Sequence, residues 1–208
     1  MVARSTAGAG PGRSHTLTRR LLDAVLLERS VYRSAALHGR NVEAAVVVVV
    51  VSMGLGVGTF VGWALAGSPP KGLLVGIIVE PIVTLAAWLG GSATAWLAGR
   101  RLGSPDRGVT GFWPVARALA LAQTPNLIGL LAVLPVPYRS GLWLLARLWL
   151  LIASSSAIRE TLGLSEGRAL SVLLVSAAVY AALLIGIFGA LSLVGVDGVL
   201  SISGGLAL

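Results

Sequence analysis

Cysteine is absent from the 208 residues, lysine occurs once, as Lys71, and only 12% of residues are charged. Without thiols there can be no disulfide, no thiolate metal site and no cysteine nucleophile. A soluble globular domain carries about 25% charged residues, so half that share argues against an ordinary water-soluble fold. Histidine is scarce as well. His15 and His38 both precede the first long apolar run, which leaves the apolar part of the chain without an imidazole base or ligand. No H-E-x-x-H, P-loop or nucleophile elbow occurs, and the eight carboxylates are scattered along the chain. An intramembrane protease would need a Ser-His pair or two aspartates inside its spans, and Asp106 and Asp197 fall outside them. The expectation is a protein that is not an enzyme and holds no cofactor or metal.

What the chain has in abundance is grease: 56% hydrophobic residues and a mean hydropathy of +0.89. Its apolar runs approach the ~20 residues that a helix needs to cross a bilayer. The expected class is all-α, a polytopic five-transmembrane-helix bundle with an N-terminal amphipathic helix. Residues 1–40 read as a disordered tail plus that helix, 41–195 as the membrane domain and 196–208 as a short tail. The spans fall at about 44–66, 72–98, 112–136, 141–158 and 169–194. Val46–Val51 would suit a strand in water, but a lone strand in lipid cannot satisfy its backbone groups. Residues 109–125 read as an interfacial or re-entrant helix that becomes the kinked, amphipathic first half of the third span. Ala64-Leu65-Ala66 resembles a signal-peptidase site, but the apolar run before it is longer than the 7–15 residues of a signal peptide, so no cleavage is expected.

Within residues 16–38, Leu17, Leu21, Leu22, Val25, Leu26, Tyr32 and Ala36 share one helical face. Glu28, Arg29 and Arg33 intrude on it. An interfacial helix is the first reading, and a helix packed on the bundle is the second.

The 16 basic residues outnumber the acidic ones two to one. Beside such apolar runs this reflects the positive-inside bias and contact with anionic lipid, not nucleic acid. Threading five spans places thirteen Lys and Arg on the N-terminal side and two on the other. The expected orientation in a bacterial inner membrane is N-terminus cytoplasmic and C-terminus opposite. Arg19, Arg20, Arg100 and Arg101 are the expected lipid-facing basic residues.

Two charges fall inside expected spans, which is costly. Glu80, followed by Pro81, and Arg147 lie at similar depth, ~10 Å from the outer surface at 1.5 Å per residue. They form a candidate ion pair that docks two helices. A water-lined ion or substrate site, or separate snorkelling of each group, are the other readings. Pro81 should kink its helix and free the carbonyl of Ile77. Gly54, Gly58 and Gly62 give two overlapping GxxxG units on one face, and Gly91, Ala95 and Gly99 repeat the spacing. Such faces let backbones approach closely, either between the first two spans or in a homo-oligomer. Trp63, Trp96, Trp113, Trp143 and Trp149 fit interfacial belts.

The order of features resembles the Yip-one (Ypt/Rab-interacting protein) family in its bacterial branch, over about residues 40–195. The segment Arg117-Ala118-Leu119-Ala120-Leu121-Ala122-Gln123-Thr124-Pro125 resembles that family's Arg-x-x-Gly-Tyr-Ala-x-x-Pro stretch, with Ala120 and Leu121 in place of the Gly-Tyr pair. The Leu134-Pro135 exit, a Trp-containing fourth span and the link Ile158-Arg159-Glu160-Thr161-Leu162-Gly163-Leu164-Ser165 are similar too. The resemblance implies five spans, a cytoplasmic N-terminus and a C-terminus on the far side. In eukaryotic relatives it implies work with Rab-type GTPases. Their Asp-Leu-x-Gly-Pro motif is missing here, so Rab binding does not carry over. The functional expectation is membrane organisation or partner and lipid interaction. The alternatives are a small transporter using Glu80 and Arg147, or an accessory subunit of a larger membrane complex. Membrane lipids and a homo-oligomeric or membrane-protein partner are the expected contacts.

Overall fold

The computed structural model describes residues 17–65, 78, 80–102, 111–133 and 136–193. Among these there is no strand. The elements are α1 (Leu17–Val25), α2 (Arg29–His38), α3 (Asn41–Leu65), α4 (Glu80–Leu102), α5 (Phe112–Ala122), a 3-10 helix (Thr124–Val133), α6 (Val136–Leu162) and α7 (Glu166–Leu193). The expected tails, residues 1–15 and 196–208, lie outside the described residues.

Among the described residues, three helices are long and apolar enough to cross a membrane, over Asn41–Gly58, Pro81–Leu102 and Glu166–Ile187. They correspond to the first, second and fifth expected spans. The fourth falls within α6, whose 27 residues reach ~40 Å at 1.5 Å each. Large apolar side chains such as Val46, Ile82, Leu144, Leu174 and Ile185 stay exposed on these helices. An aqueous surface does not carry patches of that extent, but a bilayer solvates them.

The expected third span departs from a continuous α-helix. Pro125 has no N–H for the carbonyl of Leu121, which ends α5. The Thr124 hydroxyl donates to that carbonyl instead, at 2.6 Å. The Asn126 amide then donates to the Gln123 side-chain oxygen at 2.8 Å, and the chain goes on as the 3-10 helix. In the first half, α5, Arg117 is the one charged residue in an otherwise apolar helix. Val115, Ala116, Ala118, Leu119, Ala120, Leu121 and Ala122 are all buried. Apart from the side that carries Arg117, such a helix belongs inside, and alanines let α2, α3, α4 and α6 close around α5.

The expected N-terminal helix is two helices. Leu27 adopts φ 58, and the turn is closed by Leu27 N–H to the Ala24 carbonyl at 3.1 Å and Glu28 N–H to the Asp23 carbonyl at 2.9 Å. This is a Schellman stop with leucine where glycine is usual. The break resolves the faulty amphipathicity, because α2 starts with its own phase. Val31, Tyr32, Ala35 and Ala36 face the core, while Arg29 and Arg33 are exposed. So α2 packs on the bundle against α5 and α6. Arg19 and Leu22 of α1, and Leu26 in the turn after it, are exposed.

The remaining packing is close where glycine permits it. On α4, a Cβ at Gly90 would overlap Leu183 of α7, and one at Gly91 would sit 3.8 Å from Tyr180. A Cβ at Gly99 would overlap Leu162 at the end of α6. Gly54 of α3 faces Leu130 and Leu127 of the 3-10 helix, a Cβ there standing 3.4 Å from Leu130. That part of the GxxxG face is therefore used against the 3-10 helix, not against α4. Gly163, at φ 63, ends α6 in the left-handed region, and Leu164 N–H returns to the Arg159 carbonyl at 3.3 Å, so α7 follows after a three-residue link.

Candidate functional site

Several arginines stand on or beside helix ends. Trp88 of α4, 4% exposed, donates its indole N–H to the Ala116 carbonyl of α5 at 3.0 Å. About two turns toward the C-terminus of α4, Trp96 meets the Phe112 ring edge-on at 6.3 Å, and Phe112 meets Trp113 at 5.0 Å. The Arg100 guanidinium lies 5.1 Å from the centre of the Trp96 ring, a cation–π distance. Arg168, in the first turn of α7, donates to the Leu102 carbonyl at 3.1 Å, which satisfies an orphan acceptor at the end of α4. Arg159 pairs with Glu160 at 3.6 Å and also contacts Glu166 across the α6–α7 link.

Arg117, on α5, is the centre of the second group. Its guanidinium donates to the Ala36 carbonyl near the end of α2 and to Asn41 Oδ1 at the start of α3, at 3.1 Å. The charge thereby faces the negative end of the α2 dipole. Only Gly39 and Arg40 separate these two helices. Gly39 N–H bonds the Ala35 carbonyl at 2.9 Å, and the Arg40 carbonyl accepts the first α3 bond, from Ala44 N–H at 3.1 Å. A Cβ on Gly39 would stand 2.5 Å from the Ala35 carbonyl oxygen and 3.3 Å from Arg117 Cδ. Arg20 of α1 reaches Glu43 of α3 at 3.6 Å. Arg20, Arg40, Glu43 and Arg117 line a small cleft between these helices.

Tyr32 locks α1 to α2. It is fully buried, and its hydroxyl donates to the Ala24 carbonyl at 2.9 Å. Burial pushes its pKa from 10.0 up to about 12, because the phenolate would be desolvated. Folded Tyr32 therefore keeps its proton while an unfolded one loses it. Stability from this group is complete below pH 10 and falls as pH rises toward 12. Unfolding followed by tryptophan fluorescence at pH 9 and pH 11.5 should show a loss of about 2 kcal/mol, and Tyr32→Phe should lose less. Equal losses in the two proteins would remove Tyr32 as the cause.

The structure brings Arg20 into the cleft and leaves Arg19 and Arg101 exposed, while Arg100 rests on Trp96. Gly58 is buried in α3, and the surroundings of Gly62 lie outside the described residues. Glu80 is the first residue of α4, its side chain outside the described residues, as is Ile77. Arg147 is half-buried on α6 and has a partner. Trp88, Tyr32 and Gly39 are the contacts that sequence reasoning passed over. For Trp88 a signal existed: it lies in mid-span, away from either interfacial belt.

Among the described residues, no three His, Asp or Glu side chains group as a metal site would require. No curated protein and no solved structure matches this chain significantly. The family comparison is positive: the Yip1 domain model matches residues 19–189, a stretch that holds α2 to α6 and most of α1 and α7. Its lipid-dependent helices and the match over most of its length make this chain a multi-pass membrane protein that belongs to the Yip1 domain family.

Proposed function

We propose that the protein is a non-enzymatic, five-span membrane protein that organises lipid or membrane partners through its arginine-bearing face. In this reading the N-terminal segment and the α6–α7 link are cytoplasmic, and the C-terminal tail is opposite. The observation that carries it is the gathering of Arg20, Arg40, Arg100, Arg117, Arg159 and Arg168 on or beside helix ends, above helices with lipid-exposed flanks. Such a surface attracts anionic headgroups at about 1 kcal/mol per basic residue. The two remaining crossings of the five are α6 and the composite of α5 with the 3-10 helix.

The absence of cysteine makes the test direct, since single cysteines can be introduced into an unlabelled background. In intact cells, an impermeant maleimide should label Ser68→Cys and Leu208→Cys and leave Ser165→Cys unlabelled until the membrane is opened. Labelling of Ser165→Cys and Leu208→Cys from one side would refute a crossing by α7 and with it the five-span count.

Glu80 and Arg147 are proposed as an ion pair that docks α4 and α6, because a lone charge at such depth is expensive. Glu80→Gln should lower the amount of folded protein several-fold, and Arg147→Gln in the same chain should restore it. Equal damage in single and double variants would exclude the pairing.

A further inference from the structure

We propose that the cleft between α1, α2, α3 and α5 binds a phosphate oxyanion, supplied by the headgroup of an anionic lipid. This rests on the basic-face reading and narrows it to one site. Arg20, Arg40 and Arg117 line the cleft against one carboxylate, Glu43. That carboxylate is already engaged by Arg20 at 3.6 Å, so it holds a cation in place and the cleft keeps a positive excess.

Two of the three arginines have capacity left. Arg117 turns its Nη atoms to Ala36 and Asn41, and its buried Nε has no hydrogen-bond partner. Arg40 is exposed and, among the described residues, has no ion pair. The first N–H groups of α3 open at the same place, without intrahelical acceptors, and the helix dipole adds positive potential there. Oxyanions seek this combination of guanidinium donors and a helix start.

The source follows from what continues below. Val42, Val46 and Val50 are all exposed and recur every fourth residue on the face of α3 next to the one that lines the cleft through Glu43, Ala44 and Val47. A charged pocket above an apolar stripe suits a molecule with a phosphate head and an acyl tail. Free phosphate would use the head site alone.

The test uses the whole protein in a neutral maltoside detergent. Native mass spectrometry would measure retention of short-chain phosphatidylglycerol, short-chain phosphatidylcholine or inorganic phosphate. One phosphatidylglycerol per chain should be retained, at least tenfold more tightly than phosphatidylcholine. Arg40→Gln, which breaks no side-chain contact described above, should weaken it about tenfold, the order expected for one charge-assisted hydrogen bond. Arg33→Gln, equally exposed but outside the cleft, should change it less than twofold. Equal weakening by Arg33→Gln would overturn the site while leaving a diffuse basic face intact. No preference for phosphatidylglycerol over phosphatidylcholine would overturn both. Competition by inorganic phosphate at matching concentration, abolished by Arg40→Gln, would uphold the oxyanion site and overturn lipid as its source.

Discussion

Arg117→Ala is expected to destabilise the protein by about 3 kcal/mol or more. The side chain donates to the Ala36 carbonyl and to Asn41, and hydrogen bonds from a charged group contribute ~1.5–3 kcal/mol each. Truncation also leaves the end of α2 without its compensating charge and opens a void beside Gly39 and Leu121. Thermal unfolding in one fixed detergent, read by tryptophan emission, measures the loss. Arg117→Lys should fall between wild type and alanine, because an ammonium keeps the charge but cannot fork between two acceptors. If lysine is as damaging as alanine, the charge on the α2 terminus contributes nothing and the fork alone matters. If alanine costs under 1 kcal/mol, Arg117 does not join α2 to α3 in energetic terms.

Gly39→Ala should be nearly as damaging, although it adds a single methyl group. The φ of −70° at Gly39 is open to any residue, so conformational strain is not the reason. The obstacle is the Ala35 carbonyl oxygen, 2.5 Å from the new Cβ. A backbone atom that accepts a hydrogen bond cannot swing aside as a side-chain tip can. Relief requires α2 and α3 to separate, which also disturbs Arg117, and overpacking of this kind costs typically 1–3 kcal/mol. Gly90→Ala is the control. Its Cβ would meet the Cδ1 end of Leu183, a flexible tip on a residue already 37% exposed, so little change is expected. Equal melting temperatures for Gly39→Ala and wild type would show that the α2–α3 corner is soft.

These effects concentrate where the sequence was hardest to read. Length and hydropathy are sums over many residues, so the long apolar helices were legible from composition alone. The glycine spacing likewise announced close approach, though not the partner. Gly54 faces Leu130 because the third crossing breaks after α5, and its 3-10 half lies against α3. Thr124 and Pro125 state that break in sequence, but the fate of the Leu121 carbonyl depends on a side-chain rotamer. The stop at Leu27 had no signal, since a branched residue at positive φ runs against the usual preference. Its trace was the misplacement of Arg29 and Arg33 on one continuous wheel. Arg117 was visible as part of a family-like stretch. Its role was not, because Ala36 and Asn41 lie over 70 positions away in the chain.

One consequence follows from how unevenly the long helices are covered. Of the window of α7 fit to cross a bilayer, 18% is buried by the rest of the protein, against 39% for α3 and for α4. Most of its flank must be wetted by whatever amphiphile surrounds it, whose transfer free energy enters the balance at ~25 cal/mol per Å². A melting temperature measured on this chain is thus a property of a mixture, and two laboratories using different micelles would be weighing two different substances.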